Sequence, residues 1–210
     1  MKVCPCGLYV ILDVDICASC GDIVEIARKT ILGGADILQL RAKKSSDREI
    51  LKIGQAIKNL LHKSKALFVL NDRADLAQAL DADGMHLGQQ DLPVKDARRI
   101  LGKDKIIGVS THSVSQAQEA EKLGADYIAI GPIFATATKP DLAPLGTQSI
   151  SQVKDKIKIP FVAIGGIDLN NLDEVSSAGA KGVAVCRAII TAGDVFKAAR
   201  KFRERLRPLL

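Results

Sequence analysis

Aromatic residues make up only 3% of the sequence and tryptophan is absent. A nucleic-acid reader would pair a concentrated basic patch with aromatic rings for stacking. Here the formal net charge of +6 is spread along the chain, and the Arg203–Arg207 stretch is its one concentration. Small anionic substrates account for such a balance, so no nucleic-acid partner is expected. No apolar run approaches the roughly 20 residues that cross a bilayer. The opening Met1-Lys-Val-Cys-Pro-Cys6 also lacks the apolar core of a secretory signal. No membrane partner is expected, and a cytoplasmic location is. Low-complexity tracts, charge blocks and composition breaks are missing too, so nothing marks a linker. The expectation is one domain over residues 1–210, with roughly 70% of the unfolded chain's surface available for burial. A homo-oligomer is left open.

Five cysteines are present, and two pairs, Cys4 with Cys6 and Cys17 with Cys20, have spacings met in zinc sites. Between them Leu8–Asp13 reads as a buried strand about 20 Å long, which puts the pairs at its opposite ends. Reduced thiols are expected rather than a four-thiolate zinc site.

Short apolar runs alternate with longer stretches of helical periodicity along the whole sequence. The predicted strands are Leu8–Asp13, Ile37–Arg41, Leu67–Leu70, Gly84–Leu87, Ile106–Ser110, Tyr127–Ile130, Phe161–Ile164 and Gly182–Cys186. Helices are predicted over Asp22–Leu32, Asp47–His62, Val114–Leu123 and Asp194–Leu206. Asp22 with Glu25, and Ser113 with Gln116, have capping-box spacing. Near-continuous apolar strands separated by helices imply a parallel sheet. Gly34-Ala-Asp36, Ala82-Asp-Gly84, Gly124-Ala-Asp126 and Gly179-Ala-Lys181 recur at the start of every second strand. That four-fold pattern favours a closed (β/α)8 TIM barrel. The open doubly wound alternative lacks its early G-x-G-x-x-G turn.

In such a barrel the chemistry gathers where the strands end. Polar residues stand at those ends: Gln39, Arg41 and Lys43, then Asn71 and Asp72, Gln89 and Asp91, Ser110, Thr111 and His112, and finally Cys186 and Arg187. Asp72 and Asp91 read either as caps of helices starting near Ala74 and Pro93 or as a pair of hard oxygen ligands that Mg²⁺ accepts. His86 reads either as a hydrogen-bonded core histidine or as a ligand. The long segment Gly131–Gly146 leaves the sixth strand with Thr136, Thr138 and Lys139 close together. Hydroxyls, backbone N–H groups and an ammonium are what a phosphate oxygen needs in place of water.

Six ordered segments, Gln39–Lys43, Asn71–Arg73, Gly84–Asp91, Gly108–His112, Gly131–Lys139 and Ile164–Ile167, resemble the thiamine-phosphate synthase family. The resemblance implies a transferase. It would condense 4-amino-2-methyl-5-(diphosphomethyl)pyrimidine with 4-methyl-5-(2-phosphoethyl)thiazole and release diphosphate. It implies that Gln39, Arg41, Lys43, Asn71, Ser110 and Lys139 bind the pyrimidine diphosphate, with Arg41, Lys43 and Lys139 carrying the catalysis. It places Mg²⁺ on Asp72 and Asp91, and the thiazole phosphate on Thr136, Ala137, Thr138, Gly166, Cys186 and Arg187. Such a reaction needs no protein nucleophile, and no Ser/His/Asp or Cys/His arrangement is evident. The family usually has a small serine where this chain has Arg187, and the cysteine-bearing N-terminus is also atypical. The rival readings are a thiazole tautomerase of the same superfamily and a non-catalytic barrel that binds phosphorylated ligands. The tautomerase would not need a diphosphate-binding Mg²⁺ site with two carboxylates and three cations together, and the ligand-binding barrel would show binding without turnover.

Overall fold

A computed structural model describes residues 6–206 of the chain. In order they form β1 (Gly7–Asp13), α1 (Val14–Ala18), α2 (Ile23–Leu32), β2 (Ile37–Arg41), α3 (Asp47–Leu61), β3 (Leu67–Asn71), α4 (Ala74–Ala79), β4 (Gly84–Leu87) and α5 (Val94–Leu101). Then follow β5 (Ile106–Thr111), α6 (Val114–Lys122), β6 (Tyr127–Ile130), α7 (Gln148–Lys156), β7 (Phe161–Ile164), α8 (Leu172–Ser177), β8 (Gly182–Val185), α9 (Arg187–Ile190) and α10 (Val195–Leu206). The strands pair in sequence order, all parallel, and β8 closes onto β1. This is the expected (β/α)8 barrel, with every predicted strand present and boundaries within a residue.

The strands hold because their apolar residues are covered on both faces. Leu38, Leu40 and Leu70 point into the shell between sheet and helices and are essentially without solvent contact. Each such side chain contributes on the order of 1.5–3 kcal/mol by leaving water. The helices supply the other half of that shell through residues at three-to-four spacing, as Ile50, Gly54, Ile57 and Leu61 do in α3. The reciprocal capping box falls at Ser46 and Glu49. At Asp22 and Ser113 only the cap oxygen takes part: Glu25 turns to Arg28, and Gln116 accepts from the His112 N–H one residue early.

The four-fold sequence repeat has a physical counterpart at the amino ends of the strands. The Asp36, Asp83 and Asp126 carboxylates accept the backbone N–H groups of Leu8, Phe68 and Ile107, each at 2.8 Å. Each carboxylate precedes an even strand and clamps the odd strand before it. The fourth corner has Lys181 in place of the carboxylate, and its carbonyl takes the Gly7 N–H of β1, as the Asp36 and Asp83 carbonyls take those of Leu67 and Ile106. The corners turn in left-handed backbone, supplied by Gly34 (φ 99°) at the first and by Asp81 (φ 47°) at the second. Arg203 binds Asp36 at 2.7 Å and Arg205 binds Asp173 and the Leu169 carbonyl, so these arginines tie α10 to the barrel. Arg207 lies outside the described residues.

Inside the barrel the filling is partly polar. Tyr9, Ile37, Val69, Ile106, Tyr127 and Val162 form a core separate from the outer shell. Gly108 makes room for one of these rings, because a Cβ there would lie 2.0 Å from Tyr127 Cζ.

β1 separates Cys6 from Cys17 and Cys20, as expected. Cys17, Cys20 and Cys186 are free thiols, but Cys6 is disulfide-bonded, which corrects the expectation of a reduced thiol there. Cys4 lies outside the described residues.

Candidate functional site

Strand ends that converge on one rim bring their last polar residues together. A cavity of about 420 Å³ opens there, at the carboxyl end of the barrel. Gln39, Arg41, Asn71, Ser110 and Lys139 line it, as do Thr136, Ala137, Thr138, Gly166, Cys186 and Arg187. Lys43, Asp72 and Asp91 do not line it. They stand beside it, close enough for their charges to act on Lys139. Thr111 is drawn away altogether: it is fully buried, and its hydroxyl donates to the Ala129 carbonyl.

The long segment after β6 is anchored at both ends. Ile133 and Phe134 donate to the Ile164 and Gly165 carbonyls, extending the ladder towards β7. Leu145 and Gly146 donate back to the Pro132 and Ile133 carbonyls, so the segment closes on its own stem as an Ω-loop. His112 Nδ1 donates to the Gly131 carbonyl at 2.5 Å and ties the start of this loop to β5. Within it a tight turn carries Lys139, whose N–H reaches the Thr136 carbonyl.

Neither Asp72 nor Asp91 is a helix cap: α4 and α5 have Arg73 and Pro93 at their caps, without side-chain bonds. Asp72 has φ 63° and is spanned by a bond from the Arg73 N–H to the Asn71 carbonyl. A non-glycine residue held in this region costs about 1–3 kcal/mol and persists where the surroundings enforce it. Here the strain turns its carboxylate towards Lys43 Nζ, 2.6 Å away, and towards Asp91. Burial, and then the Asp91 carboxyl, push Asp72 above the ordinary carboxylate range. Burial also pushes Asp91 upward, but the Asp72 contact and the Gly88 N–H outweigh it and hold Asp91 below that range. Two adjacent carboxylates of opposed tendency, beside a lysine, are hard oxygen donors of the kind a divalent cation accepts. Among the described residues no third His, Cys, Asp or Glu joins a metal-binding group. Further ligands to such a cation would be phosphate oxygens and water.

The cations crowd one another. Burial lowers the Lys139 pKa, and the Arg41 and Lys43 charges lower it further. Arg41 is steadied by Asp13, a buried carboxylate at the end of β1 that is not among the rim residues expected from the sequence. Asp13 was accessible to the same rule that found the others, since it ends a strand. Cys186 and Cys17 are both pushed up to about 12, chiefly by burial, so neither is a thiolate nucleophile near neutrality. His86 is a buried, hydrogen-bonded histidine whose Nδ1 meets Tyr127 Oη and whose Nε2 meets Ser110 Oγ. Burial, and then the Lys139 charge, push it down to about 3, so it is neutral near neutrality.

Fold and rim together define a parallel (β/α)8 barrel whose cation-rich cavity sits at the carboxyl ends of its strands. The family model for Thiamine monophosphate synthase matches residues 8–189, and the chain belongs to that family. A thiamine-phosphate synthase of Halalkalibacterium halodurans is 51% identical over 171 residues, 81% of each chain. One from Methanospirillum hungatei is 44% identical over 200 residues, covering 95% of this chain and 97% of the relative. The solved thiamine phosphate pyrophosphorylase of Pyrococcus furiosus superposes with a TM-score of 0.90 at 38% identity, covering 98% of both chains.

Proposed function

We propose that the protein joins 4-amino-2-methyl-5-(diphosphomethyl)pyrimidine to 4-methyl-5-(2-phosphoethyl)thiazole, giving thiamine phosphate and diphosphate. The observation that carries this reading is that Lys139, in the cavity lining, lies within reach of the Arg41 and Lys43 charges and of the Asp72–Asp91 pair. A diphosphate leaving group needs that concentration of positive charge. Thr136, Thr138, Gly166 and Arg187 also line the cavity and suit a second phosphate.

In the reaction the bond between the pyrimidinylmethyl carbon and the diphosphate oxygen breaks, and its electron pair departs with the diphosphate. The electron-rich aminopyrimidine stabilises the cation left behind, and the thiazole nitrogen supplies the pair for the new C–N bond. No proton transfer is required to form the thiazolium product. Arg41, Lys43 and Lys139 neutralise the developing charge on the diphosphate. Gln39, Asn71 and Ser110 hold the pyrimidine diphosphate, while Thr136, Ala137, Thr138, Gly166, Cys186 and Arg187 hold the thiazole phosphate at attack distance. Asp72 and Asp91 would hold Mg²⁺, which supplies Lewis-acid neutralisation of the diphosphate oxygens when bound. A cytoplasmic location follows from the biosynthetic chemistry proposed, and no helix among the described residues is long and apolar enough to cross a membrane.

Mass spectrometry of purified protein mixed with both phosphorylated precursors, with and without Mg²⁺, tests the reading. Mg²⁺-dependent thiamine phosphate is expected. Binding of both ligands without product would move the function to a tautomerase or to a ligand-binding barrel.

A further inference from the structure

A chain of hydrogen bonds crosses the barrel interior and returns to the cavity. Gln39 Nε2 donates to Tyr9 Oη at 2.6 Å. Tyr9 Oη meets Tyr127 Oη at 2.9 Å, and Tyr127 Oη meets His86 Nδ1 at 3.0 Å. His86 Nε2 then meets Ser110 Oγ at 2.9 Å. Gln39, His86 and Ser110 line the cavity, whereas the two tyrosines lie beneath it, with 2% and 0% of their surface exposed. Both phenols therefore find their partners within the chain itself.

We propose that Tyr9, Tyr127 and His86 are positioning residues that fix the Ser110 hydroxyl as a hydrogen-bond donor to the substrate. The inference deepens the reading of Ser110 as a ligand of the pyrimidine diphosphate and rests on it. The sense of each bond follows from a count of protons. Tyr9 receives the Gln39 N–H, so its own proton has one acceptor, Tyr127. Tyr127 must then donate to His86 Nδ1, its other partner. The imidazole proton is left on Nε2 and goes to Ser110 Oγ. Four bonds are filled by four protons; an imidazolium would bring a fifth and strand one of the phenols without an acceptor.

Ser110 Oγ thus accepts from below, and its own proton is turned to the cavity. A phosphate oxygen can use a donor and cannot use a second acceptor. Were the Gln39 amide reversed, every bond would reverse with it, and Ser110 would present a lone pair. The chain consequently couples two ends of the cavity floor: how Gln39 is oriented decides what Ser110 offers. Removing the Tyr9 hydroxyl leaves the Gln39 N–H without its acceptor and frees Tyr127 to bond in either sense.

The ¹⁵N chemical shifts of His86, read on the protein without substrate, test the sense directly. The Nε2–H tautomer is expected. The Nδ1–H tautomer overturns the proposal, whatever reaction the protein proves to catalyse. A double-mutant cycle tests the consequence: Tyr127→Phe should lower kcat on the order of tenfold, the worth of one hydrogen bond. In a Ser110→Ala background it should cost less than about twofold, because the group it positions is gone. An equal loss in both backgrounds would mean a structural role only and would overturn the proposal. Tyr9→Phe carries the same cycle if Tyr127→Phe does not fold.

Discussion

Asp13 and Arg41 stand opposite each other in the β1–β2 register, and the carboxylate that caps α1 is the one that holds the arginine. One oxygen accepts the Ile16 N–H and the other takes the guanidinium. Asp13→Asn retains an acceptor for the cap but removes the charge that fixes Arg41. Turnover should fall by roughly tenfold as the arginine loses its geometry. Denaturant unfolding should register a loss of about 1–3 kcal/mol, because Arg41 is largely enclosed. Unchanged kinetics would mean that Arg41 needs no support.

Asp72→Gly should separate stability from activity. Glycine takes φ 63° without strain and ends the carboxylate contact with Asp91. The lost partner, Lys43, is half exposed and contributes little. The melting temperature is therefore expected to rise by a few degrees. Turnover should fall about a hundredfold and the Mg²⁺ concentration for half-maximal rate should increase. A variant that is active at ordinary Mg²⁺ would remove Asp72 from the metal site.

Lys139 gives the pH dependence. Its pKa is lowered from 10.5, so the ammonium is present below the shifted value and lost as pH rises through it. Activity that depends on this cation should fail on the alkaline side sooner than an ordinary lysine would allow. Lys139→Arg keeps its charge throughout and should move that limb to higher pH. A pH–rate profile with an unmoved limb would trace the loss to another group. For stability the sign is opposite: the unfolded chain binds the extra proton, so within that window folding strengthens as pH rises.

Arg187 lines the cavity at the start of α9. Arg187→Ser should raise the Michaelis constant for the thiazole phosphate by about tenfold or more, the worth of a charge-assisted bond, with kcat little altered. An unchanged constant would show that the guanidinium does not touch that phosphate.

The barrel was legible because two periodicities agree along the chain: apolar strands of four to seven residues, and corners such as Gly34-Ala-Asp36 that mark every second one. Rim residues followed from the strand ends by one rule, which also reaches Asp13. Tyr9 and Tyr127 were not legible as polar. In sequence each is one more hydrophobic position in a buried strand, and only closure of the barrel sets their hydroxyls 2.9 Å apart. Thr111 failed for the converse reason. One residue beyond Ser110, it faces the other side of the pleat, where the Ala129 carbonyl captures it.

The carboxylates of Asp36, Asp83 and Asp126 clamp the strands at the end of the barrel opposite the cavity. The groups that clamp the strands and the groups that line the cavity are therefore different residues at different poles. A lineage can exchange the second set without disturbing the first. Arg187 belongs to the second set: it lines the cavity and takes part in none of the clamps.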